Sequence, residues 1–353
     1  MPFRDVVGHV RLIELLSRSA AGDTLPPSLL FTGPSGVGKR LAAVALAQTL
    51  NCTNPRPAIR DPQSAVGDPQ AGSRDPESPD ACGICPACRR IARGVHPDVP
   101  IVVPGDNGSI KIEQVRDIVD RAQYRPFEGR RRVVIIDDAD ALVSQAQNAL
   151  LKTLEEPPPS SVFILVTARP DVLLATVRSR CPQLSFRPLP ADDIVTVLMR
   201  HGKSESDARA VAATADGSLG QALAASADDL VAARDVAQRV LAQASASGDP
   251  ARRLDSAKEL LAKSGGTGAT DREHLSVHLR AMASLLRDVE VLATHADERT
   301  LANADVRPAL ERLTQTYRGP RGVSAFGAVD RALVALERNA GVKTVADWLV
   351  LQL

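Results

Sequence analysis

A glycine-rich turn, Gly33-Pro34-Ser35-Gly36-Val37-Gly38-Lys39, lies between a short apolar run, Ser28-Leu29-Leu30-Phe31-Thr32, and a helix-like stretch from Leu41 to Leu50. A turn of this composition between a strand and a helix is the setting of a phosphate-binding loop. Gly33, Gly36 and Gly38 let backbone N–H groups close round phosphate oxygens, and the helix N-terminus adds partial positive charge. Lys39 is placed to meet the β- and γ-phosphates of a nucleotide. The next position departs from the pattern. The motif calls for a Ser or Thr hydroxyl to hold Mg²⁺, but the chain has Arg40, which offers only donors. Arg40 reads as a solvated arginine of the first helical turn, and Mg²⁺ is not expected to be well held.

The second part of such a site is a carboxylate at a strand end. Val133-Val134-Ile135-Ile136 is a continuous β-branched run ending in Asp137-Asp138. Asp137 fits the Walker B carboxylate that supports the metal ion. Hydrolases of this kind usually place Glu next, to polarise the attacking water. Asp138 is one methylene shorter, and displacing a catalytic group by about 1 Å can cost on the order of 10²-fold in rate.

A third constellation is built from thiols. Cys82, Cys85 and Cys88 form a tight C-x-x-C-x-x-C run, with Cys52 upstream. Four thiolates within tetrahedral reach describe a closed structural zinc site, with an iron–sulfur cluster as the competing metal. Nothing else in the sequence suggests redox chemistry, so Zn²⁺ is the expectation. Cys181 stands apart and reads as a small core residue. It closes the triplet Ser179-Arg180-Cys181, in which Arg180 alone would read as a solvated loop arginine.

The elements that must position these residues are of two kinds. Up to about residue 188, strand-like runs, including Val162-Phe163-Ile164-Leu165-Val166-Thr167, alternate with helix-like segments. That alternation predicts an α/β domain with a parallel sheet wound by helices on both faces. Within it, 53–80 is rich in Pro, Asp, Arg, Gly and Ser and is expected to be a disordered surface loop inside a 52–88 insert. After Pro190 the strand signals cease. A small helical unit is expected over 189–245 and longer amphipathic helices, such as 272–293 and 323–338, over 246–353.

Composition bounds the function. Aromatics are only 3% of the chain, and Ala and Leu carry the apolar content, a mix that favours helices. A formal net charge of +1 argues against a dedicated nucleic-acid coat. No apolar run approaches the roughly 18 residues of a membrane span. Met1-Pro2-Phe3-Arg4-Asp5 lacks the apolar core of a signal peptide. A cytoplasmic protein is expected, and clustered cysteines in a reducing compartment favour metal over disulfide.

Together these motifs resemble the bacterial clamp-loader AAA+ family, over nearly the whole chain. Val6-Val7-Gly8-His9 is similar to the family's opening, and the cysteine insert directly after the phosphate-loop helix to its zinc module. His96-Pro97-Asp98 and Ile112-Glu113-Gln114-Val115-Arg116 match the segment before Walker B. Asn148-Ala149-Leu150-Leu151-Lys152-Thr153-Leu154-Glu155-Glu156-Pro157-Pro158 is the most specific stretch. Thr167 falls at the sensor 1 position, and Leu174 to Cys181 resembles the strand exit ending in Ser-Arg-Cys. Arg338-Asn339-Ala340-Gly341-Val342-Lys343 and the following leucines look like the last collar helices.

The resemblance implies an AAA+ P-loop domain (1–188) with a zinc-binding insert, a helical lid (189–245) and an all-α collar (246–353). Motor subunits of the gamma/tau type carry Ser or Thr after the loop lysine, Glu after the Walker B Asp, and a sensor 2 Arg. Here those positions are Arg40, Asp138 and Gly220, the last within Gly217-Ser218-Leu219-Gly220-Gln221-Ala222-Leu223. The Ser-Arg-Cys triplet persists. That combination implies the stator type of subunit, delta-prime, of the DNA polymerase III holoenzyme. Such a subunit has no ATPase of its own, and Arg180 acts as an arginine finger in trans. The implied partners are gamma/tau motor subunits and the delta subunit, with the sliding clamp and primed DNA reached through the complex. Lys39 and the glycines leave ATP or ADP binding open. The alternatives are an active ATPase, of the gamma/tau type or another AAA+ enzyme, against which residues 40, 138 and 220 weigh, and a zinc-dependent nucleic-acid-binding module, disfavoured by charge and by the scarcity of aromatics.

Overall fold

The computed structural model describes residues 1–57, 79–105, 107–215, 217–224, 227–246, 248–262, 268–294, 301, 303, 306–337 and 340–353. They form two compact units, Met1–Leu189 and Pro190–Leu353.

The first unit runs α1 (Val10–Ala21), β1 (Ser28–Thr32), α2 (Lys39–Asn51), β2 (Arg56–Pro57), β3 (Pro79–Asp80), α3 (Pro86–Ala92), β4 (Ile101–Val102), α4 (Ile112–Ala122), β5 (Arg132–Ile136), α5 (Ser144–Glu155), β6 (Ser161–Thr167), α6 (Ala175–Arg178) and β7 (Gln183–Ser185). Five strands form one sheet in the order β4-β5-β6-β1-β7, every pair parallel. This is the all-parallel sheet with helices on both faces that the alternation of strands and helices predicted. β1, β5 and β6 are buried along their whole length. Both faces are covered, which is why these strands read as continuous apolar runs without alternation. The alternation lies instead in the destination of the side chains. Leu29, Phe31, Val133, Ile135, Val162, Ile164 and Val166 pack with α1 and α2. Leu30, Val134, Ile136, Phe163 and Leu165 pack with α4 and α5 on the other face.

The tract expected to be disordered differs at its ends. β2 and β3 pair antiparallel, Arg56 with Asp80, and bring the two ends together. The buried Asp80 carboxylate accepts from the backbone N–H of Phe3 at 2.8 Å and Arg4 at 3.3 Å, and from the Arg4 guanidinium at 3.2 Å. The interior, 58–78, lies outside the described residues.

The second unit is helical: α7 (Ala191–Arg200), α8 (Glu205–Thr214), α9 (Leu219–Ala224), α10 (Ala227–Ala246), α11 (Pro250–Leu261), α12 (Gly268–Ala293), α13 (Arg307–Thr314), α14 (Pro320–Glu337) and α15 (Val342–Gln352). One apolar core joins α10 to α15, from Ala237, Val240 and Leu241 through Leu279, Leu285 and Val329 to Leu349 and Val350. Ala237, Val240, Leu241 and Ala244 of α10 belong to that core, so the sequence boundary expected near 245 falls at the end of a helix already packed into it. The buried Tyr317 hydroxyl donates to the Leu241 carbonyl at 3.1 Å. Among the described residues no helix is long and apolar enough to cross a membrane.

Candidate functional site

The glycine-rich turn leaves the C-terminal end of β1 and enters α2. Gly33 sits at φ 136°, and a Cβ there would lie 2.0 Å from the Phe186 carbonyl oxygen. Phe186 in turn donates its N–H to Thr32 O at 2.7 Å. Gly36 and Gly38 also have positive φ, 76° and 103°, a region that L side chains rarely adopt. The loop backbone therefore takes a course that favours glycine at all three positions. Lys39, 6% exposed, donates from Nζ to Gly33 O and Pro34 O, both at 2.6 Å. Burial lowers its pKa, against the opposing pull of Asp138, Asp137 and Asp140.

The next residue corrects the sequence reading. Arg40 is not merely solvated. Its guanidinium donates to Asp137 Oδ2 at 3.1 Å, forming an ion pair with the carboxylate expected at the Walker B position. A residue that cannot ligate a metal is thus bonded to the residue expected to ligate one.

Asp137 is anchored at the sheet by its N–H, which donates to Val102 O at 2.9 Å. Asp138 follows in the left-handed region, at φ 49°. Its carboxyl is raised above the usual range by desolvation at this crowded strand end and by Asp137 and Asp140. Thr167, fully buried at the end of β6, donates to Asp140 Oδ1 at 2.7 Å. Asp140 Oδ2 accepts from Arg169 Nε at 2.9 Å and from its terminal nitrogen at 2.6 Å. Asp140 and Arg169 carry no motif and were not anticipated from the sequence. Gly220 lies exposed on α9 in the second unit.

Arg180 follows α6. Its backbone carbonyl accepts from Ser28 Oγ at 2.9 Å, and its guanidinium donates to Thr176 O at 2.8 Å and pairs with Glu155 at the end of α5. The side chain remains 31% exposed. Cys181 is a core residue beside it, as expected, and burial pushes its thiol up to about 11.

The four clustered cysteines meet as the spacing requires. Cys52 closes α2, Gly83 turns the chain at φ 77°, and Cys85 caps α3. The sulfur atoms of Cys52, Cys82, Cys85 and Cys88 all lie within 4.8 Å of one another. Backbone N–H groups point at three of them: Cys82 at Cys52 Sγ (3.3 Å), Cys85 at Cys82 Sγ (3.3 Å) and Cys88 at Cys85 Sγ (3.5 Å). Such donors favour thiolates. For Cys85, burial opposes ionisation but the N–H of Cys88 and the Thr53 hydroxyl and N–H outweigh it, and the thiol falls to about 6. Burial raises Cys88 and Cys52 instead. Sulfurs bound to one tetrahedral ion at about 2.3 Å are spaced at roughly 3.8 Å, so this set fits a metal ion such as zinc.

Comparison with known proteins finds relatives of parts of the chain. Residues 70–190 match the family described as DNA polymerase III, delta subunit. Subunit tau of DNA polymerase III from Escherichia coli is 34% identical over 192 residues, 54% of this chain and 26% of that protein. Subunit delta' from Pseudomonas aeruginosa is 37% identical over 162 residues, 46% of this chain and 43% of that one. The chain thus spans less than half the length of these relatives. A DNA polymerase III gamma-subunit-related protein from Thermotoga maritima, of known structure, aligns over 97% of each chain with 18% identity and a TM-score of 0.43. Over these stretches the chain is similar to the delta' and gamma/tau subunits of DNA polymerase III.

Proposed function

We propose that this chain is a cytoplasmic delta-prime-type subunit, a stator that hydrolyses no ATP itself and supplies Arg180 to a neighbour's ATP site. The observation that carries this is the Arg40–Asp137 pair, which spans the place of a hydrolytic metal ion. Asp138 in place of Glu and Gly220 in place of a sensor arginine support the same reading.

In the assembled ring, Arg180 would leave Glu155 for the γ-phosphate of an adjacent gamma/tau subunit. The exchange is charge for charge, so it need not strand a buried cation. A guanidinium there stabilises charge that develops during phosphoryl transfer, an effect of order 10³–10⁵ in rate in other NTPases. The helices after Asp249 act as the collar that joins this chain to the motor and delta subunits. Through them it helps couple ATP state to loading of the sliding clamp on primed DNA. Cys52, Cys82, Cys85 and Cys88 hold a structural Zn²⁺, which supplies cross-linking rather than chemistry.

The test is an ATPase assay of the isolated chain, then of the ring reconstituted with gamma/tau and delta subunits. The isolated chain should show no Mg²⁺-dependent turnover above background, while clamp loading by the ring should require it. Turnover by the isolated chain that disappears in Lys39→Ala would identify a motor subunit instead.

A further inference from the structure

Mg²⁺ does not fit the site between α2 and β5. The hydroxyl that would ligate it is replaced by a guanidinium, and Asp137 is already engaged by that guanidinium at 3.1 Å. Yet the rest of the phosphate loop is kept. Gly33, Gly36 and Gly38 hold backbone conformations that L side chains resist, and Gly33 has no room for a Cβ. Lys39 is buried with its ammonium turned into the loop. A site that had lost phosphate binding would have no need of these constraints, which cost conformational entropy.

We propose that Arg40 takes the cation's place, so that this chain binds the phosphates of ATP or ADP without a divalent metal. The inference rests on the phosphate-loop reading of residues 33–39. Three features support it. A guanidinium carries five donors in a planar fork, and Asp137 is the only ion-pair partner of Arg40 among the described residues. The Arg40 side chain is 56% exposed at the mouth of the loop, so its other donors face the solvent from which a nucleotide arrives. Charge is also balanced without a metal. Arg40 offsets Asp137, Arg169 offsets Asp140, and Lys39 stands against Asp138. An arriving phosphate oxygen would replace the neutral carbonyls of Gly33 and Pro34 as the partners of Lys39, exchanging neutral acceptors for charged ones. Arg40 cannot polarise a water or hold one in line, so binding would not lead to hydrolysis.

The experiment is calorimetric titration of the full chain with ATP and with ADP, in excess EDTA and in excess Mg²⁺. The wild type should bind at least as tightly in EDTA as in Mg²⁺. Arg40→Ala should weaken binding in EDTA by about tenfold or more, since a charge-assisted contact is lost. Arg40→Thr should be equally weak in EDTA and should recover affinity when Mg²⁺ is added. Melting curves of both variants should show a folded chain that differs from the wild type by no more than the loss of the Arg40–Asp137 pair, about 1 kcal/mol. Binding by the wild type only with Mg²⁺ would overturn the proposal, as would unaltered metal-free binding in Arg40→Ala. So would the absence of any binding in either buffer, but that result would leave the stator reading intact, since it needs only Arg180.

Discussion

Arg180 is tied to Glu155 across the gap between α6 and α5, and its guanidinium also donates to Thr176 O at 2.8 Å. The pair is local and partly solvated, with Glu155 half exposed. An ion pair of this kind contributes about 0–1 kcal/mol to stability. The arginine is therefore held in a defined place at little thermodynamic cost to release.

Replacing Arg180 by Ala should change the stability of the isolated chain by less than about 1 kcal/mol. In a reconstituted ring, ATP turnover should fall only partly, because other interfaces keep their own arginines. DNA-stimulated clamp loading should fall further. Arg180→Lys should restore little, since an ammonium cannot form the planar fork. The check is a ring carrying the substitution in this subunit alone; unchanged ATPase and loading rates in a correctly assembled complex would remove the trans role.

Elemental analysis of the purified chain should find about one Zn²⁺ per molecule, and Cys88→Ser should lose it. Removal of the metal should make four thiols reactive to a chromogenic reagent. The sheet should survive, because the cysteines form a small cluster of their own with Ala81, apart from the packing of β1, β5 and β6. Iron in place of zinc, or no metal, would contradict the assignment.

Some of this was legible in the sequence, and the difference is physical. β5 and β6 stood out because burial on both faces demands unbroken apolar, β-branched runs. β4 and β7 did not. They are two and three residues long, and they exist as strands only through pairing with Ile135 and Ile136, and with Leu30 to Thr32. Spacing announced the glycine-rich turn between β1 and α2 and the cysteine quartet. The partner of Arg40 was invisible: it lies 97 positions away, brought near by sheet pairing. For the same reason the bond from Thr167 to Asp140 could not be read from the sequence.

Gly33→Ala should be far more damaging than Gly38→Ala. Both positions have positive φ, so both substitutions carry backbone strain of about 1–3 kcal/mol. At Gly38 the new methyl would meet only Val6 Cγ1 at 4.0 Å, an ordinary contact. At Gly33 it would meet backbone, the Phe186 carbonyl at 2.0 Å, which cannot turn aside as a side chain tip can. The Phe186–Thr32 hydrogen bond at the junction of β1 and β7 would have to open. Denaturant melts of the two variants give the comparison directly, and equal losses would mean that the loop relaxes without disturbing β7.

The last expectation concerns acid. Asp98 is fully buried and accepts from the N–H groups of Phe127 (2.7 Å), Glu128 (2.9 Å) and Gly129 (2.8 Å), and from the Arg132 guanidinium at 3.0 Å. Arg132 also donates to the carbonyls of Arg121 and Tyr124, so the pair ties the turn after α4 to the start of β5. Burial would push the Asp98 carboxyl up, but the three N–H donors and Arg132 outweigh it and hold it near 2, below its ordinary 3.8. The unfolded chain therefore binds this proton at a higher pH than the folded chain does. The stabilisation is complete above about pH 5 and fades as pH falls through 4 towards 2. A difference of this size corresponds to about 2 kcal/mol. Asp98→Asn keeps one carbonyl oxygen but leaves the buried Arg132 without its charge partner, at a cost of about 3–5 kcal/mol at neutral pH. The gap between wild type and Asp98→Asn should shrink by about 2 kcal/mol between pH 5 and pH 2. Hydrogen exchange at the β5 amides is the suitable measurement, because the single tryptophan, Trp348, lies in the helical second unit and does not report on the sheet. A gap that stays constant with pH would mean that Asp98 titrates as an ordinary carboxyl and that its hydrogen bonds do not favour the charged form.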